Sequence, residues 1–284
     1  MPDNPTRGHV HPVALSDHAV LAITGADALK FAQAQFMNDV ATLGDGDWQW
    51  NGWLNAKGRL RALFALVRMD AHTLWLLLAD QPAAAMAAAL QPYVFRSKVA
   101  LTPRDDLQVT GYAEAALPSR AHEHSADAAD GASLAWPGGR RIVIHLPDAA
   151  ADPDRLPDPH EDDRQAWRQA DLRAGIPRMD AERFAQWTPQ QLSLERLPAF
   201  SVKKGCYPGQ EIVARTHFLG QAKRGLRLFE TTGELAAGSE VAEGDRSVGE
   251  IVCSAGPIAL AVVSLDARPD RAGGQPAQPL DFEP

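Results

Sequence analysis

The chain has 284 residues, of which 45% are hydrophobic and 23% charged, a balance typical of a soluble globular protein with two or three compact units. Its formal net charge of -8 argues against stable nucleic-acid binding, which needs clustered Lys and Arg to meet the phosphates. Two cysteines are too few for a disulfide framework, and no apolar run reaches membrane-spanning length. We therefore expect a cytoplasmic protein without a membrane partner.

The first elements of the chain predict a strand followed by a helix. The apolar run Val20–Ile23 predicts a short strand. Asp27–Val40 then predicts an amphipathic helix, closed by Asn38 and Asp39. Four apolar side chains of this predicted helix recur on one face: Leu29, Ala32, Phe36 and Val40.

A β-hairpin is the next predicted element. Trp48–Val67 predicts two strands joined by the turn Asn55–Arg59, because apolar residues alternate after the turn. Lys57 and Arg59 flank Gly58 at the tip, and two cations on a glycine turn can offer a fork to a carboxylate or phosphate. The residues alone favour the simpler interpretation, a hairpin tip with solvated charges.

The middle of the chain alternates regular and irregular segments. Leu74–Leu78 predicts a return strand, Pro82–Leu90 an Ala-rich helix, and Arg141–Leu146 a further strand after a Pro-Gly-Gly turn. Ala113–Ala132 shows no clear period. Pro147–Pro159 is rich in Pro and Asp, which predicts an exposed linker between two units.

A well-delimited helix follows the predicted linker. Three acidic residues occupy its first turn from Glu161, Gly175 lies just past its end, and Pro177 prevents its continuation. Trp167 and Leu172 lie on the face that should enter the core.

The chain changes character from residue 225 onward. Leu226–Phe229, Ser247–Cys253 and Ile258–Leu265 predict short strands separated by glycines. Cys253 lies inside an apolar strand, so we expect it to be buried and inert. Residues after Arg268 are rich in Pro, Gly and Gln, and we expect them to trail over the surface.

The most specific stretch of the sequence is 203–215, Lys-Lys-Gly-Cys-Tyr-Pro-Gly-Gln-Glu-Ile-Val-Ala-Arg. Tyr207–Gln210 suits a type II turn, with Pro second and Gly third. Gln210–Ala214 predicts a short helix, and Glu211 suits its positive end. Cys206 would then lie beside two lysines and before a helix start, which favours the thiolate and a lowered thiol pKa. The simpler alternative is a tight turn containing one small apolar residue.

This stretch, together with the run 167–177 (Trp-Arg-Gln-Ala-Asp-Leu-Arg-Ala-Gly-Ile-Pro), closely resembles the YgfZ family. These are folate-binding proteins similar to the glycine-cleavage T-protein (aminomethyltransferase). The segments 25–40 and 54–60 extend the resemblance toward the N-terminus, although Ala34 and Met37 depart from the family pattern. The resemblance implies an α+β fold: a T-protein-like folate-binding body of more than one unit in residues 1–218, then a small antiparallel β-barrel in 219–284 with a loose tail.

The resemblance also implies functional residues. Those around the thiol would be Lys204, Cys206, Tyr207, Gln210, Glu211 and Arg215, with Cys206 as the reactive group. Those toward a tetrahydrofolate or related reduced folate would be Asn38, Asp39, Lys57, Gly58, Arg59 and Arg173. Arg173 stands where T-proteins carry a glutamate toward the folate, which argues against aminomethyl transfer.

Two functions of different class remain open from the sequence, and with them whether any reaction is catalysed. The first is a folate-binding accessory protein for assembly or repair of iron–sulfur clusters, acting transiently with iron–sulfur proteins or assembly factors and supporting enzymes that thiolate tRNA. The alternative is a tetrahydrofolate-dependent aminomethyl transferase, which would need an acid or base at the reacting folate nitrogen. A structural scaffold ranks third. The sequence shows no paired metal-binding cysteines, so we predict no metal site of the chain's own.

Overall fold

The computed structural model describes residues 12–113, 131–147, 161–220 and 222–283. Two antiparallel sheets and a closed barrel form the framework of the described chain. The linker predicted at Pro147–Pro159 lies outside the described residues except for its first proline, so it stays a prediction. Within the described ranges, no helix combines the length and the apolar composition that crossing a membrane would require.

The first sheet carries two helices on one face. Its strands are β2 (His18–Thr24), β3 (Trp48–Leu54), β4 (Leu60–Asp70), β5 (Thr73–Ala79) and β6 (Ala100–Pro103), and its helices are α1 (Ala28–Gln35) and α2 (Ala83–Val94). The strand order β3-β4-β5-β2-β6 is antiparallel throughout. Phe31, Phe36 and Trp53 are among the side chains buried between helices and sheet. The predicted hairpin, return strand and Ala-rich helix are confirmed.

Helix α1 is shorter than the predicted Asp27–Val40. The backbone of Phe36 is extended, with ψ at 157°, and Phe36 forms a β-bridge with Trp53 on the edge strand β3. Phe36 is thereby fully buried. Pairing with an exposed sheet edge replaces a further helical turn, and Val40 starts a separate 3-10 turn. The buried face of the helix consists of Ala28, Phe31 and Ala32.

The second sheet packs against the long helix. Its strands are β1 (Val13–Ala14), β7 (Gln108–Ala113), β8 (Gly131–Trp136) and β9 (Arg140–His145), in the order β1-β7-β9-β8, and the helix is α3 (Glu161–Arg173). Trp167 of α3 lies so close to the sheet that a Cβ on Gly111 would be 2.6 Å from its ring. The burial of Trp167 and Leu172 confirms the predicted face. The sequence analysis did not predict strand β8, because buried and exposed positions alternate along it but most of its residues are small.

Two helices, α4 (Ala181–Phe184) and α5 (Gln210–Leu219), lie between α3 and the barrel along the chain. The barrel strands are β10 (Arg224–Thr231), β11 (Glu240–Glu243), β12 (Arg246–Ala255), β13 (Ile258–Ser264), β14 (Arg271–Ala272) and β15 (Gln275–Leu280). They close in the order β10-β13-β12-β11-β14-β15, with β15 pairing β10. The antiparallel β-barrel that the family resemblance implied is therefore confirmed.

The expectation of a loose tail after Arg268 is wrong. Gly273 and Gly274 both adopt positive φ, at 57° and 77°, and join β14 to β15 as a two-residue hairpin loop. Ala272 and Ala277 are buried in the barrel. Closing the sheet removes an open edge, and this tertiary gain outweighs a composition poor in strand formers.

A buried charged cluster joins these units, and we call it the Arg178 cluster. It consists of Asp17, Asp80, Arg168, Asp171 and Arg178. The guanidinium of Arg178 donates to Asp80 Oδ2 at 2.6 Å, to Asp171 Oδ2 at 2.7 Å and to Asp17 Oδ2 at 2.7 Å. Asp17 and Asp80 flank the first sheet, while Asp171 lies on α3. One cation thereby ties the first sheet to the helix of the second.

The cluster also reaches the second sheet and the barrel. Asp171 accepts from Trp136 Nε1 at 2.9 Å and forms an ion pair with Arg140 at 2.9 Å. Cys253 of the barrel lies against the backbone of Arg178. Burial opposes the charge of Arg178, but the three carboxylates outweigh it and raise the pKa of the guanidinium. Each carboxylate of the cluster is therefore paired with at least one guanidinium.

Candidate functional site: an anchored loop with an exposed thiol

The loop before α5 presents Cys206 to solvent. Gly209 has φ of 77° and ψ of 0°, the third-position values of a type II turn, and Gln210 N donates to Tyr207 O at 3.2 Å. The predicted turn is confirmed, and so is the helix after it, which continues to Leu219. Cys206 is exposed, whereas Tyr207 beside it is buried and its hydroxyl contacts Ser201 O at 3.4 Å. Burial raises the pKa of Tyr207 to about 12.

Lys204 anchors this loop to the end of α1. Its buried ammonium donates to the backbone oxygens of Gln33 at 2.7 Å and Asn38 at 3.0 Å, and to that of Phe36. These carbonyls lie at the negative helix end, where a cation is favourable. Burial nevertheless lowers the pKa of Lys204 to about 8, with Asp39 opposing the shift.

The anchoring of Lys204 corrects the expected surroundings of the thiol. We expected two ammonium groups beside Cys206, but Lys204 points into the protein and of the two lysines only Lys203 is exposed. Gln210 also serves the loop, since its amide contacts Lys204 O at 3.4 Å. Glu211 and Arg215 lie exposed on α5.

Helix α5 rests on the hairpin turn of the first sheet. A Cβ on Gly209 would lie 2.5 Å from Asn55 O, and one on Gly58 would lie 2.6 Å from Ile212 Cβ. Asn55 Oδ1 accepts from the backbone N–H groups of Lys57 and Arg59, which fixes the turn. Both glycines are therefore required by this close approach, and the structure brings together two motifs that are distant in sequence.

One of the two cations at the turn is held by contacts within the protein. Nη1 of Arg59 donates to Gln186 O at 2.6 Å and to Gln191 Oε1 at 3.0 Å, so this side chain joins the turn to the segment after α4. Lys57 is exposed. One nitrogen of the guanidinium is thus engaged within the protein, a long-range contact that no local pattern reveals.

The other residues predicted toward folate also hold the structure together. Asn38 Nδ2 donates to Trp50 O at 2.9 Å and Pro198 O at 2.7 Å. Asp39 Oδ1 accepts from Gln33 Nε2 at 3.0 Å. Arg173 lies against the C-terminal segment, 4.0 Å from the carboxylate of Glu283.

The second cysteine has the opposite environment. Cys253 is buried in the barrel wall, as predicted, and burial raises the pKa of its thiol to about 12. No three His, Cys, Asp or Glu side chains converge as metal ligands in the part of the chain that the structure describes. Cys206 is therefore the accessible thiol of the two.

Three cavities in the described chain bear on ligand binding. A closed one of about 20 Å³, among Trp50, Trp136 and Arg178, has room for a water molecule. A groove of about 370 Å³ lies beside α2. A cleft of about 720 Å³ lies between the segment before β3 and strand β8, and is lined in part by Asp45, Asp47, Trp48, Met69 and Arg141. Only the last two have the size of small-molecule sites.

Sequence reasoning missed the Arg178 cluster. One signal was available, because Asp171 lies four residues after Trp167 and directly before Leu172, on the face predicted to be buried. A carboxylate on a buried face requires a partner. The partners Asp17 and Asp80 follow no local pattern, and only the fold brings them there.

The architecture is similar to a solved enzyme. The crystal structure of glycine cleavage system aminomethyltransferase T from Bartonella henselae superposes with a TM-score of 0.72, covering 95% of this chain and 84% of that one, at 16% identity. At that identity the likeness defines the fold, so this is a protein of the aminomethyltransferase T fold. No family model matches the chain.

Curated relatives then define the family. The tRNA-modifying protein YgfZ of Klebsiella pneumoniae is 31% identical over 75% of this chain and 69% of its own length. The protein of the same name from Cronobacter sakazakii is 34% identical over the same shares. An uncharacterized protein of Haemophilus influenzae is 29% identical over 81% of this chain and 77% of its own. The chain belongs to the YgfZ family.

Proposed function

We propose that the protein is a folate-binding accessory factor that uses Cys206 in the assembly or repair of iron–sulfur clusters, and so supports enzymes that modify tRNA. The family membership and the fold support the folate and tRNA parts of this proposal. The observation that carries the thiol part is the contrast between the two cysteines: Cys206 is exposed on an anchored loop and Cys253 is buried.

A cluster handled by this protein would be cargo. One thiolate cannot supply the four ligands of an ordinary cluster, and no further ligand group converges among the described residues. The remaining ligands would come from a partner protein or a small thiol. The proposed interaction is therefore transient, with Cys206 as one ligand or as the group that transfers the cluster.

The cleft of about 720 Å³ fits a reduced folate better than the hairpin turn does. Asp45 lines the cleft, but its carboxylate already pairs with Arg68 at 2.6 Å. Asp47 offers a carboxylate to the amino and ring N–H groups of a pterin, half-buried Trp48 offers apolar surface, and Arg141 offers a cation to the glutamate tail. The closed cavity of about 20 Å³ has no room for a pterin ring. We propose that these residues hold the folate, apart from the thiol, because no residue of the Cys206 loop lines the cleft.

A binding titration tests the folate part. Tetrahydrofolate should bind the wild-type chain, and Asp47→Asn and Arg141→Met should each weaken binding about tenfold or more, the loss of one charge-assisted bond. Arg246→Met is the matched control, because Arg246 is exposed on the barrel, outside the cleft and outside the residues predicted toward the folate. Absence of binding by wild type would remove the folate proposal. If neither cleft variant changes the affinity for tetrahydrofolate, the cleft is not the folate site.

A cellular test addresses the thiol part. In cells lacking the protein, Cys253→Ser should restore thiolated tRNA and Cys206→Ser should not, at equal protein levels. Full restoration by Cys206→Ser would contradict the proposal. Turnover of a one-carbon folate by purified protein, retained in Cys206→Ser, would favour the transferase alternative instead.

A further inference from the structure

Helix α2 has a composition that surface helices rarely have. Its twelve residues, Ala83–Val94, include no charged side chain, yet Ala84, Ala85 and Ala88 are exposed on its outer face. A helix that is apolar all round is normally buried on all sides. Its outer face is therefore a surface without the charged cover that solvent exposure favours.

An exposed aromatic side chain follows the end of the helix, with the Arg96 guanidinium 5.1 Å from its ring centroid. Phe95, directly after α2, is 85% exposed and has φ of 24°, a strained value for a bulky residue. Tyr93 is 45% exposed. Exposed aromatic residues next to an uncharged helix form the kind of apolar patch that marks interaction surfaces.

A groove lies beside the first half of the helix. The cavity of about 370 Å³ is lined on its apolar side by Trp53, Pro82, Ala85, Met86 and Ala89. Trp53 is 1% exposed, and its indole Nε1 has no hydrogen-bond partner. The groove thus offers apolar volume together with an unpaired donor.

The charges at the two ends of α2 are opposite. Asp180 and Glu182 line the groove near the start of the helix, and both are exposed. Arg61 also lines the groove, but it lies over the Trp53 ring at 4.3 Å. Arg96 and Lys98 follow its end and are exposed as well. An antiparallel copy of the helix would place basic residues of one chain on acidic residues of the other.

We propose that α2 is a homodimer interface, in which two copies cross antiparallel near Ala88 and each inserts Phe95 into the other's groove. The spacing supports this register: Phe95 lies seven residues after Ala88 and Pro82 six before it, roughly 10 Å and 9 Å at 1.5 Å per residue. The exposed alanines at the crossing permit close approach. A two-fold axis makes such an interface self-complementary. Each chain then contributes one inserted Phe95 and one groove that receives the Phe95 of the other chain.

The test is the molar mass of the full chain by sedimentation velocity over a dilution series. Wild type should reach the mass of a dimer as concentration rises. Ala88→Glu, which would place two like charges at the crossing, should remain monomeric, and Phe95→Ser should weaken the dimer about tenfold or more. Phe218→Ser removes another exposed aromatic, 66% exposed on α5, and should leave the dimer unchanged.

A charge exchange makes the test specific to this register. Arg96→Glu and Glu182→Lys should each weaken their own homodimer, while an equal mixture of the two should dimerise, because both contacts regain opposite charges. Circular dichroism checks that each variant is folded. Monomers at every wild-type concentration, dimers that survive Ala88→Glu, or a mixture no stronger than its components would overturn the proposal.

Discussion

Two buried cations organise this protein in different ways. Arg178 meets three carboxylates and fixes the meeting point of the units, whereas Lys204 meets three backbone carbonyls and fixes a single loop. In the first arrangement the cation itself is buried among its carboxylate partners. The second lies two residues before the exposed Cys206, so it fixes the loop that presents this thiol to solvent. Buried charge thus serves the architecture in one place and the candidate site in the other.

Removing the cation of the Arg178 cluster should produce the largest loss of stability. Arg178→Met should lower the free energy of unfolding by about 3–5 kcal/mol, because three carboxylates are left buried without their main partner. Arg246→Met is the control, since Arg246 pairs with Glu243 at the surface and such pairs contribute about 1 kcal/mol or less. Chemical unfolding measures both. Equal losses would show that the cluster does not hold the units together.

Removing the second cation should have a smaller effect. Lys204→Met should cost about 1.5–3 kcal/mol, because three carbonyls lose a charged donor. Lys203→Met, one residue away and exposed, should change stability by about 0.5 kcal/mol or less. If the two variants unfold alike, Lys204 does not anchor the loop.

The smallest expected effect is the loss of stability at acidic pH through Asp17. Burial alone would raise the pKa of Asp17, but His18, Arg178 and Arg168 outweigh it and lower the pKa below its ordinary 3.8. The folded state therefore binds fewer protons than the unfolded state, so this stability is present above pH 3.8 and is lost as pH falls below it. The stability difference between wild type and Asp17→Asn should shrink in that range. A difference independent of pH would contradict the ion pairing.

The sequence predicted the elements whose signals are local. The hairpin around Asn55–Arg59 and the turn at Tyr207–Gln210 follow from alternation and from Pro and Gly positions, and both were found. The end of α1 was not predictable in this way, because a bridge to Trp53 decides it. The hairpin that closes the barrel had a local signal in Gly273 and Gly274, which the surrounding composition obscured.

The candidate site was predictable in its residues but not in its geometry. The motif indicated Cys206 and Lys204 together, and only the fold shows that Lys204 turns inward to the end of α1. Likewise, Arg59 was predicted to face a ligand, but it binds Gln186 and Gln191, more than 120 residues away in sequence. Side-chain partners at such separations depend on how units pack, which periodicity does not encode.

The central claim is that the Cys206 loop presents an accessible, working thiol while Cys253 is sealed by the fold. Iodoacetamide labelling of the folded Cys206→Ser and Cys253→Ser variants, followed by mass spectrometry, measures the rate at each remaining cysteine. The first variant reports on Cys253 and the second on Cys206. We expect Cys206 to label rapidly in the folded protein and Cys253 to label only at the rate of unfolding. Equal rates in the folded state, or a Cys206 that does not react, would contradict this account.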